Sequence, residues 1–205
     1  MPSSSEPGRG RGGRTPRLWL AGLALVLALW RIESCGLAPR EPEPPSTSQG
    51  RLVGLSDPDS VLLQIEVGLS SGVVTQYINA FADSFSFHGD SSDSTDLVRS
   101  FGASQNVFLD WGKDIERSAM QLVLGSSTDR SVTFTKVSTE VETGERVVWL
   151  VDYALVVDAA TLNGRPRLDI RREPTGDWRL LDWTDFRQPG SDTRAWGFLK
   201  GRNRL

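Results

Sequence analysis

The chain has 205 residues with 23 basic against 26 acidic side chains, 38% hydrophobic residues, one cysteine and one histidine. This length suits one domain with a tail, and a single cysteine excludes a disulfide within the chain. The mildly acidic balance gives no electrostatic reason to bind nucleic acid, and one histidine without a neighbouring cysteine gives no basis for a metal site.

Residues 1–17, MPSSSEPGRGRGGRTPR, hold four arginines against Glu6 and almost nothing apolar to bury, a composition that predicts disorder. Residues 18–30 are then uninterrupted apolar or glycine up to Arg31. A spanning helix needs about 20 apolar residues, whereas the core of an export signal needs roughly 7–15. Ile32, Ser34 and Cys35 follow, then the Pro-rich GLAPREPEPP of residues 36–45. This layout resembles a bacterial lipoprotein signal, although Glu33 and Arg31 depart from the usual pattern. The resemblance implies cleavage before Cys35, lipidation of that residue, and an extended polyproline tether behind it. The other reading makes Cys35 an unmodified thiol beside an uncleaved anchor. The expected organisation is a signal and basic leader over 1–34 and a lipidated tether over 35–55. A folded domain over 56–188 and a C-terminal tail over 189–205 complete it. Removal of residues 1–34 takes away five basic and two acidic residues, leaving 18 against 24.

From residue 56 the chain reads as helices followed by strands. Asp57 is a capping residue, Pro58 suits a first turn, and Val61, Leu62, Ile65 and Leu69 fall at helical spacing. Ser70-Ser71-Gly72 breaks this helix. A second, VVTQYINAFADSF, places Val73, Tyr77 and Phe81 on one stripe. FSFHGD reads as a short strand, SSDSTD as a loop, and residues 95–103 as one or two helical turns. NVFLDWGKDIERSAMQLVLG predicts a third helix burying Phe108, Trp111, Ile115 and Leu122, with Gly125 as its stop.

The period then changes to two. SVTFTKVSTEV switches phase near Lys136, which predicts a bulge, and Thr143-Gly144 turns the chain. RVVWLVDYALVV alternates Trp149, Val151, Tyr153, Leu155 and Val157 with a second, mostly apolar set, as expected of a central strand covered on both faces. Helices cover only one side of such a sheet, so a homodimer through the other side is expected. Asn163-Gly164 is a hairpin-turn signal, RPRLDIRRE a further strand, and Pro174-Thr175-Gly176-Asp177 a turn into DWRLLDWTDF. The fold class is α+β, with N-terminal helices packed on a curved antiparallel sheet.

This order, closing on Gly176-Asp177-Trp178-Arg179-Leu180-Leu181-Asp182-Trp183-Thr184-Asp185, resembles the nuclear transport factor 2-like, or polyketide-cyclase-like, fold. The resemblance covers residues 56–188 and implies a cone whose sheet wraps its helices. It implies little about function, because enzymes, binders and assembly parts share the cone. With the leader and the terminal Ala195-Trp196-Gly197-Phe198-Leu199-Lys200-Gly201, the chain is also similar to uncharacterised bacterial lipoproteins carrying such a domain.

No G-x-S-x-G, P-loop or G-x-G-x-x-G occurs in the domain, so no catalytic residue is assigned and no cofactor is expected. Tyr77, Trp111, Trp149, Tyr153 and His88 are the candidate pocket residues. His88 is a candidate acid or base at the pocket mouth or, more simply, an exposed turn histidine. Tyr153 and Asp152 point to opposite faces of their strand. Asp152 is expected to pair with Arg167, Arg171 or Arg179. The tryptophans either line a ligand pocket or fill the core, and Trp196 and Phe198 are candidates to dock back onto the domain. Asp182 and Asp185, three apart on a strand, face opposite ways and do not form a carboxylate pair. The leading expectation is a lipid-anchored domain in the bacterial cell envelope, outside the cytoplasm. It would bind a small apolar ligand or an envelope protein without catalysis. The alternatives are a cyclase-, isomerase- or dehydratase-like enzyme using Tyr153, Tyr77 or His88, and an anchored subunit of an envelope complex.

Overall fold

Asp57 starts the first helix. In the computed structural model, which describes residues 53–204, its side chain accepts the Ser60 N–H at 2.8 Å and the Ser60 hydroxyl accepts the Asp57 N–H. This reciprocal capping box and Pro58 at the first turn open α1 (Pro58–Ser71), which ends at Gly72. Val61, Leu62, Ile65 and Leu69 are buried, as their spacing requires. The leader, Cys35 and nearly all of the tether lie outside the described residues. Among the described residues, no helix is long and apolar enough to cross a membrane.

The second helix is much shorter than its periodicity predicts: α2 spans Val74–Ile78, and β1 (Phe81–His88) begins three residues later. Phe81, Phe85 and Phe87 are all buried, and the register of β1 shifts between Phe81 and Ser86. Residues four apart share a face of a strand as well as of a helix, so the spacing of Tyr77 and Phe81 alone does not distinguish the two. The expected loop SSDSTD is the first half of α3 (Ser91–Phe101), capped by Asp90, whose carboxylate accepts the Ser92 N–H at 2.7 Å. The third predicted helix starts late. Residues 105–110 are turns, and α4 (Lys113–Ser126) buries Glu116, Ala119, Met120, Val123 and Leu124 while Leu122 is exposed. It runs one residue past Gly125, so that glycine is not its stop.

The strands β2 (Arg130–Glu142), β3 (Arg146–Val157), β4 (Ala160–Gly164), β5 (Arg167–Arg172) and β6 (Trp178–Thr184) complete one six-stranded sheet. Its order is β1-β6-β5-β3-β2, with β4 also paired to β3. All pairs are antiparallel except β1 with β6, so the sheet is mixed rather than purely antiparallel. The bulge expected near Lys136 appears as a register shift between Lys136 and Ser138. Asn163-Gly164 does not turn the chain: both lie within β4, and the turn sits at Asp158, with φ of 53°. Gly164 is there for space, since a Cβ at that position would lie 2.4 Å from the Tyr153 hydroxyl.

The inner face of β3 (Trp149, Val151, Tyr153, Leu155) meets α1, α2 and α4 in one core. On the outer face Val148 is buried, Leu150 and Val156 are half-buried, and ion pairs cross the sheet. Asp152 is held there by Arg165 at 2.6 Å and 2.9 Å, not by Arg167, Arg171 or Arg179. Arg167 instead pairs with Glu140, Arg171 with Asp169, and Arg179 with Glu173 and Asp177.

The segment expected as a tail forms α5 (Trp196–Arg202), in which Trp196, Gly197, Phe198, Leu199, Lys200 and Gly201 are buried. This segment is therefore part of the core.

Backbones approach closely at Gly68, where a Cβ would lie 2.5 Å from the Tyr77 N and Cα. Backbone cannot yield as a flexible side chain does, so Gly68→Ala is expected to destabilise the fold by about 1–3 kcal/mol in urea denaturation.

Candidate functional site

Two buried carboxylates organise the interior of the sheet. Glu116 enters it from α4, on the same helical stripe as Ala119, Met120 and Val123. Its carboxylate accepts the Tyr77 hydroxyl at 2.5 Å and the Trp111 indole N–H at 2.8 Å. The Lys200 ammonium lies 2.9 Å from the same oxygen that takes the Tyr77 proton. Lys200 and Glu116 are both fully buried. The ammonium is paired with that carboxylate and is also surrounded by ring faces: Phe87, Trp183 and Trp196, with centroids 4.0, 4.4 and 5.0 Å away.

Asp185 follows β6 directly, and its backbone N–H donates to the His88 carbonyl at 2.7 Å, continuing the pairing with β1. Its side chain accepts the Tyr153 hydroxyl at 3.1 Å and the Gly197 N–H at 2.9 Å. The same hydroxyl accepts the Trp196 N–H. Burial raises the Asp185 carboxyl to about 7, although the Gly197 N–H and the Lys200 charge oppose the shift. Asp93, buried on α3, is raised by burial to about 6 against the pull of Arg187, which donates to it at 2.7 Å. Asp93 also accepts the Phe198 N–H at 3.1 Å. Burial, reinforced by Glu116 beside Tyr77 and Asp185 beside Tyr153, pushes both phenols well above their ordinary value. Both tyrosines therefore stay protonated and donate hydrogen bonds to those carboxylates. Burial lowers the Lys200 ammonium, and Glu116 and Asp185 work against that.

The structure brings Tyr77 and Trp111 together on Glu116 and sets Tyr153 across the Trp196 ring from Tyr77. Trp149 shares the face of β3 with Tyr153 but lies further along it, its ring under the Lys136 ammonium at 4.0 Å. His88 is outside the group: its side chain is 59% exposed and lies 3.1 Å from Asp182. Asp182 and Asp185 do face opposite ways, with Asp182 half-exposed and Asp185 buried. Sequence reasoning passed over Glu116, Lys200, Asp93 and Arg187. The available signal for Glu116 was a carboxylate on an otherwise apolar helical stripe. For Lys200 it was a lysine one turn after a tryptophan.

The interior is filled. Trp183, Trp196 and the Lys200 arm occupy the space between the two carboxylates. Concavities lie at the surface. One, of about 540 Å³, is lined by Gly89, Val98, Phe108 and Leu109; another, of about 410 Å³, lies between α4, β4 and α5. Among the described residues, no group of three or more His, Cys, Asp or Glu side chains could hold a metal ion.

No family model matches the chain, and no curated protein matches it. Solved structures do match. A point variant of Rv3472, a protein of unknown function from Mycobacterium tuberculosis, is 12% identical over 72% of this chain and 83% of its own, with a TM-score of 0.51. A domain of unknown function with a cystatin-like fold from Nostoc punctiforme is 10% identical (63% and 74% covered, TM-score 0.47). A scytalone dehydratase-like protein from Novosphingobium aromaticivorans is 11% identical (67% and 87% covered, TM-score 0.46). The fold is the cone-like one of nuclear transport factor 2-like domains, helices packed on a curved mixed sheet. At these identities the likeness extends to the fold alone.

Two outcomes follow from the buried charges. Glu116→Gln leaves the Lys200 ammonium without its carboxylate and is expected to cost about 3–5 kcal/mol in urea denaturation. Combined with Lys200→Met it is expected to cost much less than the two single changes added, which a double-mutant cycle measures. The second outcome is a pH dependence. The Asp185 and Asp93 carboxyls have an ordinary value of 3.8 and are raised in the folded chain. Between that value and about 7 the folded chain therefore binds more protons than the unfolded one. Their contribution is fully present below 3.8 and is lost as pH rises through their folded values. The melting temperature is expected to fall as pH rises from about 5 to about 8. Asp185→Asn should flatten much of that fall, and an unchanged slope would show that Asp185 does not titrate there.

Proposed function

We propose that this protein is a membrane-tethered, non-catalytic binding domain that docks a protein partner in the bacterial cell envelope. The observation that carries the reading is the filled cone. A catalytic pocket needs space in which a substrate meets its acid or base. Here the acids and phenols that could do chemistry are spent on one another and on the backbone of α5. What is left for recognition is the outside.

The outer face of β3 is crossed by ion pairs, whereas apolar side chains project around the end of α3: Phe101 is 52% exposed and Leu109 is 59% exposed. Leu109 lines the groove of about 540 Å³ together with Val98 and Phe108. We assign the docking surface to this edge. The tether rests on the leader: a basic segment, a short apolar core, and Cys35 ahead of a Pro-rich run. A second reading, binding of a small apolar ligand, is favoured by the groove of about 410 Å³ between α4, β4 and α5, lined in part by Val123, Val157, Leu162 and Phe198.

The test has two parts on the membrane-extracted full chain. Its intact mass is expected to begin at Cys35 with added acyl chains, and Cys35→Ala should lose them; an unmodified full-length mass overturns the tether. A photo-reactive residue replacing Leu109 is expected to cross-link one discrete protein in intact membranes, while the same residue at Glu142, on β2, does not. Equal labelling from both positions would sink the assignment of the docking edge.

A further inference from the structure

The groove of about 410 Å³ between α4, β4 and α5 is apolar at its base and basic along one wall. Val123 of α4, Val157 of β3, Leu162 of β4 and Leu199 of α5 make the base. Arg194 and Arg202 line the α5 side, four residues before and four residues after Phe198. The Arg194 guanidinium lies over the Phe198 ring, 3.8 Å from its centroid. Its ion-pair partner, Asp96, is 3.6 Å away and is held more closely by Arg187, at 2.6 Å. Arg202 is exposed and has no ion-pair partner among the described residues. The other polar side chains of the groove are engaged by backbone. Ser126, Ser127 and Asn203 donate to the carbonyls of Leu122, Val123 and Leu199. Asp158, on the wall opposite α5, accepts the Thr128 and Asp129 N–H groups at 2.9 and 3.2 Å. Those donors hold its carboxyl below the ordinary range, so it stays charged and repels an anion from its own side. The guanidinium groups are thus the polar groups left to meet a ligand.

We propose that this groove binds a fatty-acid anion, its carboxylate on Arg194 and Arg202 and its chain on the apolar base. A guanidinium fork matches a carboxylate in shape and charge, and its flat face tolerates an apolar neighbour, as Arg194 does on Phe198. The volume falls in the range of roughly 300–1,000 Å³ usual for small-molecule sites, which combine apolar linings with a few placed polar groups. Asp158 sets the direction: the head goes to the α5 wall and the chain runs toward Val123, Val157 and Leu162. The inference rests on the reading of this groove as a small apolar-ligand site and adds the head group. It is independent of the protein partner, which concerns the edge at Leu109.

The probe is dodecanoate carrying a photo-reactive diazirine at mid-chain, with the matching alcohol and alkylammonium as controls, on the full chain in membranes. Peptide mass spectrometry after illumination is expected to find the acid on residues 157–162 and 198–203. Its yield there should exceed that of either control about fivefold or more. Arg194→Gln combined with Arg202→Gln is expected to cut the acid's yield about tenfold and to leave the alcohol's unchanged. If that double variant loses its near-ultraviolet circular dichroism, Arg202→Gln alone, at an exposed and unpaired position, carries the same comparison. Ala160→Trp, which fills the groove from an exposed position on β4, is expected to abolish labelling there. Groove labelling by the alcohol or the alkylammonium equal to that by the acid overturns the carboxylate assignment and leaves the apolar-ligand reading standing. Absence of groove labelling by all three probes overturns both.

Discussion

A positive charge in the middle of the core is the constraint on which the other arrangements depend. The Lys200 ammonium has no contact with solvent, and an isolated ion there would cost several kcal/mol, a large share of the stability of a domain of this size. It is tolerable only because Glu116 stands against it, and Glu116 in turn is tolerable because Tyr77 and Trp111 donate to it. Tyr77 reaches that position because α1 and α2 pack at the close approach permitted by Gly68. The second carboxylate, Asp185, joins β6 to α5 through the Gly197 N–H and to β3 through Tyr153. The sheet and the helices on both sides of it in the chain are thereby linked through a few charged and hydroxyl groups rather than by apolar burial alone.

Arg187 does comparable work at the edge. It donates to Asp93 and Asp96 on α3, and its own backbone N–H donates to the Asp90 side chain. A segment of serines, threonine and aspartates has weak helical preference and competes with its own backbone for hydrogen bonds. Here long-range ion pairs, together with the cap at Asp90, hold it as a helix. Asp93 then also meets α5 by accepting the Phe198 N–H, so the edge and the interior share an anchor.

Where local chemistry decides conformation, the fold was legible in the sequence. Asp57-Pro58 opens a helix by capping, Thr143-Gly144 turns the chain, and the two-residue period of residues 146–157 makes a central strand whatever surrounds it. Legibility failed where distant residues decide. The four-residue spacing of Phe81 and Phe85 fits a strand face as well as a helical stripe and only the pairing of β1 with β6 decides between them, Ser91–Asp96 is helical because of Arg187, and Gly164 stays in its strand where Tyr153 needs the room. Of the interior, the aromatic residues were legible and their charged partners were not. A glutamate or a lysine in an amphipathic segment normally marks the solvent side, and only knowledge of both partners makes burial of either one acceptable. The separation of Glu116 from Lys200 in the chain hid each from the other.

The position of α5 bears on the order in which the protein is made. Synthesis runs from the N-terminus, so a nascent chain holds Glu116 and Asp185 before it holds Lys200 or the Gly197 N–H. Until those arrive Glu116 has only the Tyr77 and Trp111 donors, and Asp185 only the Tyr153 hydroxyl, to offset its burial. The parallel pairing of β1 with β6, far apart in the chain, adds a slow late contact of the same kind. A growing chain thus lacks the last partners of its interior until the seven-residue α5 follows β6.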